Sequence, residues 1–305
     1  MIRYEHAMTN KIIAIIGPTS SGKSDLAIIL AKKYHGEIIS ADSRQIYRGM
    51  NLGTGKVTQA KQQMAKHHML DIVSPRTTYN VAKFVKTAQK ITKEIYRRGH
   101  VPLVCGGTGF WMQALLENQT FPPVPPDNKL RTKLHKKTAR QLFSQLNKLD
   151  PLRAKTIDAK NSVRLIRAIE IAKVLGKVPL LKSQKQTNNS LLVLGIQVEK
   201  DALYKRIKKR LMSRFKQGMI TEVKRLHAQG VSWVRLERFG LEYKWIALFL
   251  QKKITEKEMR ENLFAESKKF AKRQMTWLKR WEKQGQKIHW VNNVQEAQRI
   301  LKGFL

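Results

Sequence analysis

The chain has a single cysteine, Cys105. One thiol cannot build a disulfide framework or a cysteine zinc site, so the fold must rest on packing. Long apolar runs are missing too: no stretch reaches the roughly 18 residues that cross a bilayer. The start, from Met1 to His6, has neither an apolar leader core nor an Arg- and Ser-rich amphipathic stretch. That points to a cytoplasmic protein with no membrane partner. Acidic residues are scarce, 22 against 60 Lys and Arg, which leaves a formal charge of +38 over 305 residues. Solubility needs far less. A field of that sign attracts polyanions, nucleic acid first among them. A general lysine bias is the plainer alternative. No internal repeat is visible.

What is present begins with Gly17, Pro18, Thr19, Ser20, Ser21, Gly22, Lys23 and Ser24, a G-x-x-x-x-G-K-S phosphate loop. Ile12–Ile16 before it is a short β-branched run, as in a buried parallel strand. Asp25 onward reads as a helix. Glycines let successive N–H groups turn inward, the helix N-terminus adds partial positive charge, and Lys23 adds a full one. Ser24 is placed to offer its hydroxyl to Mg²⁺. The loop predicts binding of a diphosphate or triphosphate.

Glu37 to Ala41 reads as strand two, followed by Asp42, Ser43, Arg44 and Gln45. A carboxylate past a strand's carboxyl end sits where open α/β sheets bind ligands. An Asx turn or helix cap is the other reading of Asp42. Gly49 to Lys56 reads as a loop. His67 and His68 are adjacent, do not share a helix face and have no third ligand nearby, so no metal site is expected there. Val81 to Arg98 has helical spacing. Val101 to Cys105 reads as strand three, ending in Gly106, Gly107, Thr108 and Gly109 before a helix from Phe110 to Glu117. The three loops 17–24, 42–45 and 106–109 thus converge on one sheet edge as a candidate active site.

Paired prolines at 122–123 and 125–126 mark a linker. From Asn128 to about Leu175 only helices are expected, broken at Asp150 and stopped by Gly176. Gln184 to Ser190 reads as a polar loop. Leu191 to Val198 returns as strand four, and helices follow from Asp201 and over 220–228, 241–252 and 256–281. On the last, Phe270, Gln274, Trp277 and Trp281 share one face, and the tryptophans read as core. Lys272 and Arg273 flank it as part of a candidate phosphate track. The expected division is 1–118, a first part of the core; 119–190, a helical insertion; and 191–305, the rest of the core with basic helices.

Several motifs together resemble the tRNA dimethylallyltransferases, the IPP transferase family. They are Gly17–Ser24, Ala41–Met50, Gly53–Lys56, His67–Ile72, Gly106–Thr108, Arg164–Glu170 and Ala271–Trp277. They stand in family order and cover most of the chain. The resemblance implies an α/β fold: a P-loop NTPase-like parallel sheet core with a helical insertion domain and a helical C-terminal part. It implies transfer of a dimethylallyl group from dimethylallyl diphosphate, with Mg²⁺, to N6 of the adenosine 3′ of the anticodon. It assigns Asp42 as general base and Thr108 as its partner near the reacting groups, with Lys23 in the diphosphate cradle. It places tRNA, at its anticodon stem-loop, on Asp42 to Gln45, Thr108, Arg131 and the run Val163, Arg164, Leu165, Ile166 and Arg167. A monomer is expected. Val163 departs from the family's usual glutamine, and Gly240–Lys244 from a tighter Gly-Tyr-Lys pattern. The alternatives are a P-loop kinase acting on a nucleoside or small molecule with ATP, and an RNA-binding protein with a nucleotide switch.

Overall fold

A computed structural model describes residues 10–181 and 190–305. The expected loose start and most of the polar loop at 184–190 lie outside these residues. The chain packs as two compact units, one from Met1–Asn118 with Gln184–Leu305 and the other Gln119–Ser183.

The first unit opens with β1 (Ile12–Ile16), α1 (Lys23–Lys33), β2 (Gly36–Ser40), α2 (Gln59–Met64) and β3 (His67–His68). It continues with α3 (Val81–Arg97), β4 (Val101–Cys105) and α4 (Gly109–Leu116). The second unit contains α5 (Asn128–Leu134), α6 (Ala139–Leu149), α7 (Pro151–Thr156) and α8 (Ser162–Leu175). The first unit resumes with β5 (Leu191–Ile196), α9 (Lys200–Lys216), α10 (Met219–Ala228), α11 (Trp233–Phe239) and α12 (Leu241–Leu250). It closes with α13 (Glu256–Lys283), β6 (His289–Val291) and α14 (Val294–Phe304).

Six parallel strands form one sheet in the order β3-β2-β4-β1-β5-β6. The four longer strands are apolar runs because helices cover both faces of a parallel sheet. β1, β4 and β5 are buried along their whole length. Apolar residues of α1 pack with those of β1, β4 and β5 into one core cluster. The registers Ile15 to Cys105 and Ser40 to Cys105 bring the carboxyl ends of β1, β4 and β2 level with one another. The three loops that follow these strands therefore meet at one edge.

The expected strand three is fourth along the chain, because the two-residue β3 precedes it. β3 consists of His67 and His68 and pairs with Ile38 and Ile39. The short helices α2 and α11 and the three-residue β6 carried too little pattern to be read from sequence; α14 was not read either, although its buried Ala297 and Leu301 stand at helical spacing. In the helical unit, Asp150 ends α6 and accepts from Arg153 N–H to start α7. Gly176, at φ 75°, stops α8. Among the described residues no helix is long and apolar enough to cross a membrane.

Candidate active site

The phosphate loop hangs between β1 and α1. Gly22 caps α1 at φ 97°, a left-handed conformation open to glycine. The Ser20 and Ser21 hydroxyls are buried without a hydrogen-bond partner. Lys23 Nζ donates to the Pro18 carbonyl at 2.7 Å. Burial, with Arg210 adding to it, lowers the Lys23 ammonium to about 8. Arg210 reaches in from α9 and donates to Thr19 Oγ1. Burial first, then the neighbouring Arg214, pushes its guanidinium down to about 9. Two cations and two unpartnered hydroxyls at a helix N-terminus suit a polyanion, and a diphosphate fits this chemistry.

Asp42 follows β2. Its Oδ1 accepts from Arg44 N–H at 2.8 Å and from Gln45 N–H at 3.4 Å. The Asx turn is therefore real, and it fixes the carboxylate by one oxygen. Thr108 ties the two neighbouring turns: its Oγ1 accepts from Ser43 N–H at 3.1 Å and donates to Ser43 Oγ at 3.3 Å. Its own N–H donates to the Ala41 carbonyl at 3.3 Å.

The other expected contacts differ in how they are placed. Arg44 donates through Nε to the Phe239 carbonyl at 2.9 Å and lies over that ring. Gln45 turns inward: its amide nitrogen lies 3.4 Å from the Gly55 carbonyl, and its oxygen accepts from Ser40 at 3.1 Å. Lys272 and Arg273 are exposed on α13. In the helical unit, Glu170 is buried and braces Arg131 at 2.6 and 2.8 Å and Arg167 at 3.2 Å. Val163 and Arg164 are exposed on the first turn of α8. Leu165 and Ile166 differ from these, since both side chains are buried in that unit's core and the Leu165 N–H is taken up by the Asn161 carbonyl.

The glycine loop at 49–56 is held from below. Glu222 accepts from the N–H groups of Asn51, Leu52 and Gly53 at 2.9, 2.7 and 3.0 Å and from Tyr243 OH at 2.8 Å. Lys56 spends its ammonium on Tyr47 O, Asn51 Oδ1 and Asp71 Oδ1. Its role here is to fix the loop.

Two residues at the site, Arg210 and Gln274, were not read as site residues from the sequence. Gln274 Oε1 accepts from Thr19 N–H at 2.7 Å, and its Nε2 donates to the Gly107 carbonyl at 2.8 Å. A signal existed for Arg210. With Ile207, Leu211 and Arg214 it occupies the inward stripe of α9, where a basic residue needs a reason.

Known proteins resemble this chain in sequence and in fold. The sequence model for a family described as IPP transferase matches residues 45–281. A tRNA dimethylallyltransferase 1 of Syntrophus aciditrophicus is 40% identical over 303 residues, 98% of this chain and 99% of that one. A tRNA dimethylallyltransferase 2 of Treponema denticola is 41% identical over 286 residues, 92% of this chain and 95% of that one. The solved tRNA isopentenylpyrophosphate transferase of Bacillus halodurans superposes with a TM-score of 0.72 at 31% identity, covering 97% of each chain. A eukaryotic dimethylallyltransferase, solved acting on tRNA, shares the fold with a TM-score of 0.78 at 23% identity, covering 96% of this chain and 78% of that one. The family model covers most of the chain and the relatives match it over nearly its full length, so the chain belongs to the IPP transferase family.

Proposed function

We propose that this protein is a tRNA dimethylallyltransferase. It moves a dimethylallyl group from dimethylallyl diphosphate to N6 of the adenosine 3′ of the anticodon, position 37, and releases pyrophosphate. The observation that carries the reading is the meeting of a cationic phosphate loop with a carboxylate turn and the Thr108 hydroxyl on one sheet edge. The relatives' names support it and do not favour the kinase alternative.

The acceptor amine is a poor nucleophile, so the site must help both ends of the reaction. The phosphate-loop N–H groups, Lys23 and Arg210 hold the diphosphate and stabilise the charge that grows on it as the allylic C–O bond breaks. The N6–C bond forms on the other side of that carbon. Asp42 Oδ2 takes the N6 proton, while Oδ1 stays anchored in the Asx turn. Thr108 keeps the turn in place through Ser43. The target base must leave its stack to reach Asp42.

Ser24 lies on the first turn of α1, where its hydroxyl would hold a Mg²⁺ brought in with the diphosphate. When bound, the ion neutralises charge on the leaving group.

The test is Asp42→Ala under single-turnover conditions with saturating tRNA. Transfer slows by roughly 10²-fold while tRNA binding is retained. An unchanged rate would remove Asp42 from the chemistry.

A further inference from the structure

Helix α13 meets the site along one seam. Trp277 packs where Gly109 has no side chain: a Cβ there would lie 2.2 Å from the indole. One turn further, Trp281 is buried and its indole N–H donates to Glu117 at 2.8 Å. One turn back is Gln274, 8% exposed.

The Gln274 amide spans two loops. On one side it holds Thr19 N–H, and Arg210 grips the same residue through its hydroxyl. On the other it holds the Gly107 carbonyl, one residue before Thr108. A Cβ at Gly107 would sit 2.4 Å from Gln274 Nε2, so the turn needs glycine for the amide to approach. The sheet ladder joins these loops only as far as Gly106, whose N–H points to the Ile15 carbonyl at 3.4 Å. Beyond that point, Gln274 is the hydrogen-bonded link between them among the described residues. The two partners ask opposite things of the side chain, an acceptor for Thr19 and a donor for Gly107. A neutral amide supplies both, and a carboxylate or a thioether does not.

We propose that Gln274 is a positioning residue of the transfer reaction. Resting on the transferase reading above, it sets the distance between the cradle of the leaving group and the turn that carries Thr108 and, through Ser43, steadies Asp42. Displacement requires the reacting atoms about 3–3.5 Å apart and aligned, and a misplacement of about 1 Å can cost roughly 10²-fold in rate. Gln274 touches neither reacting atom. Its effect falls on the rate of the bound complex, with little on tRNA affinity.

Two substitutions separate this from simple packing. Gln274→Met keeps the length and loses both hydrogen bonds. With dimethylallyl diphosphate and unmodified tRNA both saturating, its single-turnover rate falls roughly 10- to 100-fold, and tRNA affinity stays within about twofold of wild type. Gln274→Glu keeps the acceptor for Thr19 and, while ionised, lacks the donor for Gly107. Protonated, it regains that donor, so its rate relative to wild type at the same pH rises as pH falls. A packing role leaves that ratio flat. A Met variant with the wild-type rate, or a flat Glu ratio, overturns the assignment while leaving the transferase reading intact. Absence of transfer by the wild-type chain overturns the transferase reading and this inference with it.

Discussion

Lys23 is a cation kept where water is short. Burial lowers its ammonium to about 8, although the charge of Asp42 pulls the other way. Burial therefore makes the ammonium easier to deprotonate than a free lysine, and a diphosphate beside it would favour the charged form. The sign for binding follows. Below pH 8 Lys23 carries its proton before the donor arrives; above it, the proton must be taken up on binding. The donor's kcat/KM falls as pH rises through about 8, approaching tenfold per unit, and Lys23→Arg moves that limb to higher pH because a guanidinium holds its proton more tightly than an ammonium. Initial rates from pH 6.5 to 9.5 at saturating tRNA check this. A limb at the same pH in the Arg variant would assign it to another group. At this scale the phosphate loop was legible because its parts are contiguous: strand, glycines, lysine and helix. Asp42 was legible only as two readings; the structure shows the Asx turn, made through Oδ1, and the role as base belongs to the proposed mechanism. Gln274 was visible inside its motif, but its role depends on which two loops the helix face meets. Local spacing carries no such information.

Among the elements, β1, β2, β4 and β5 announced themselves as apolar runs. The edge strand β3 did not, since it is a pair of histidines without alternation. It is held instead by Glu37 on β2. That carboxylate is 2% exposed and accepts from Arg98 at 2.8 and 2.8 Å. His68 lies 2.6 Å from it, His100 2.7 Å and Lys66 3.6 Å. Burial alone would raise the Glu37 carboxyl, but the hydrogen bonds from Arg98, His68 and His100 outweigh it and hold it at about 2. A carboxyl depressed by folding contributes stability above its unfolded value of 4.5 and loses it as pH falls toward 2. Glu37→Gln therefore costs about 2 kcal/mol at pH 7, from charge-assisted hydrogen bonds lost inside the sheet edge. The gap to wild type narrows between pH 4.5 and 2. Urea unfolding at several pH values measures both. A gap that stays constant across the acid range would contradict the assignment of these bonds.

For the whole molecule, charge and fold point the same way. A formal charge of +38 exceeds what solubility asks for, and a tRNA substrate gives it a purpose. Exposed Lys272 and Arg273 place part of it on the helix that also presents Gln274 to the site. In the helical unit, Glu170 braces Arg131 and Arg167 and Arg164 stands outward, so the cations there are oriented before any RNA arrives. That brace was not legible from sequence. Glu170 is 39 residues from Arg131 along the chain, and only the packing of α5 against α8 brings them together. The central claim is that this charge delivers tRNA to a cradle that spends a prenyl diphosphate. Its most direct test is mass spectrometry of nuclease-digested tRNA after incubation with the purified protein, Mg²⁺ and either dimethylallyl diphosphate or ATP. The account predicts one C₅H₈ added to a single adenosine, with the prenyl donor alone. Unmodified tRNA with ATP consumed instead would contradict it.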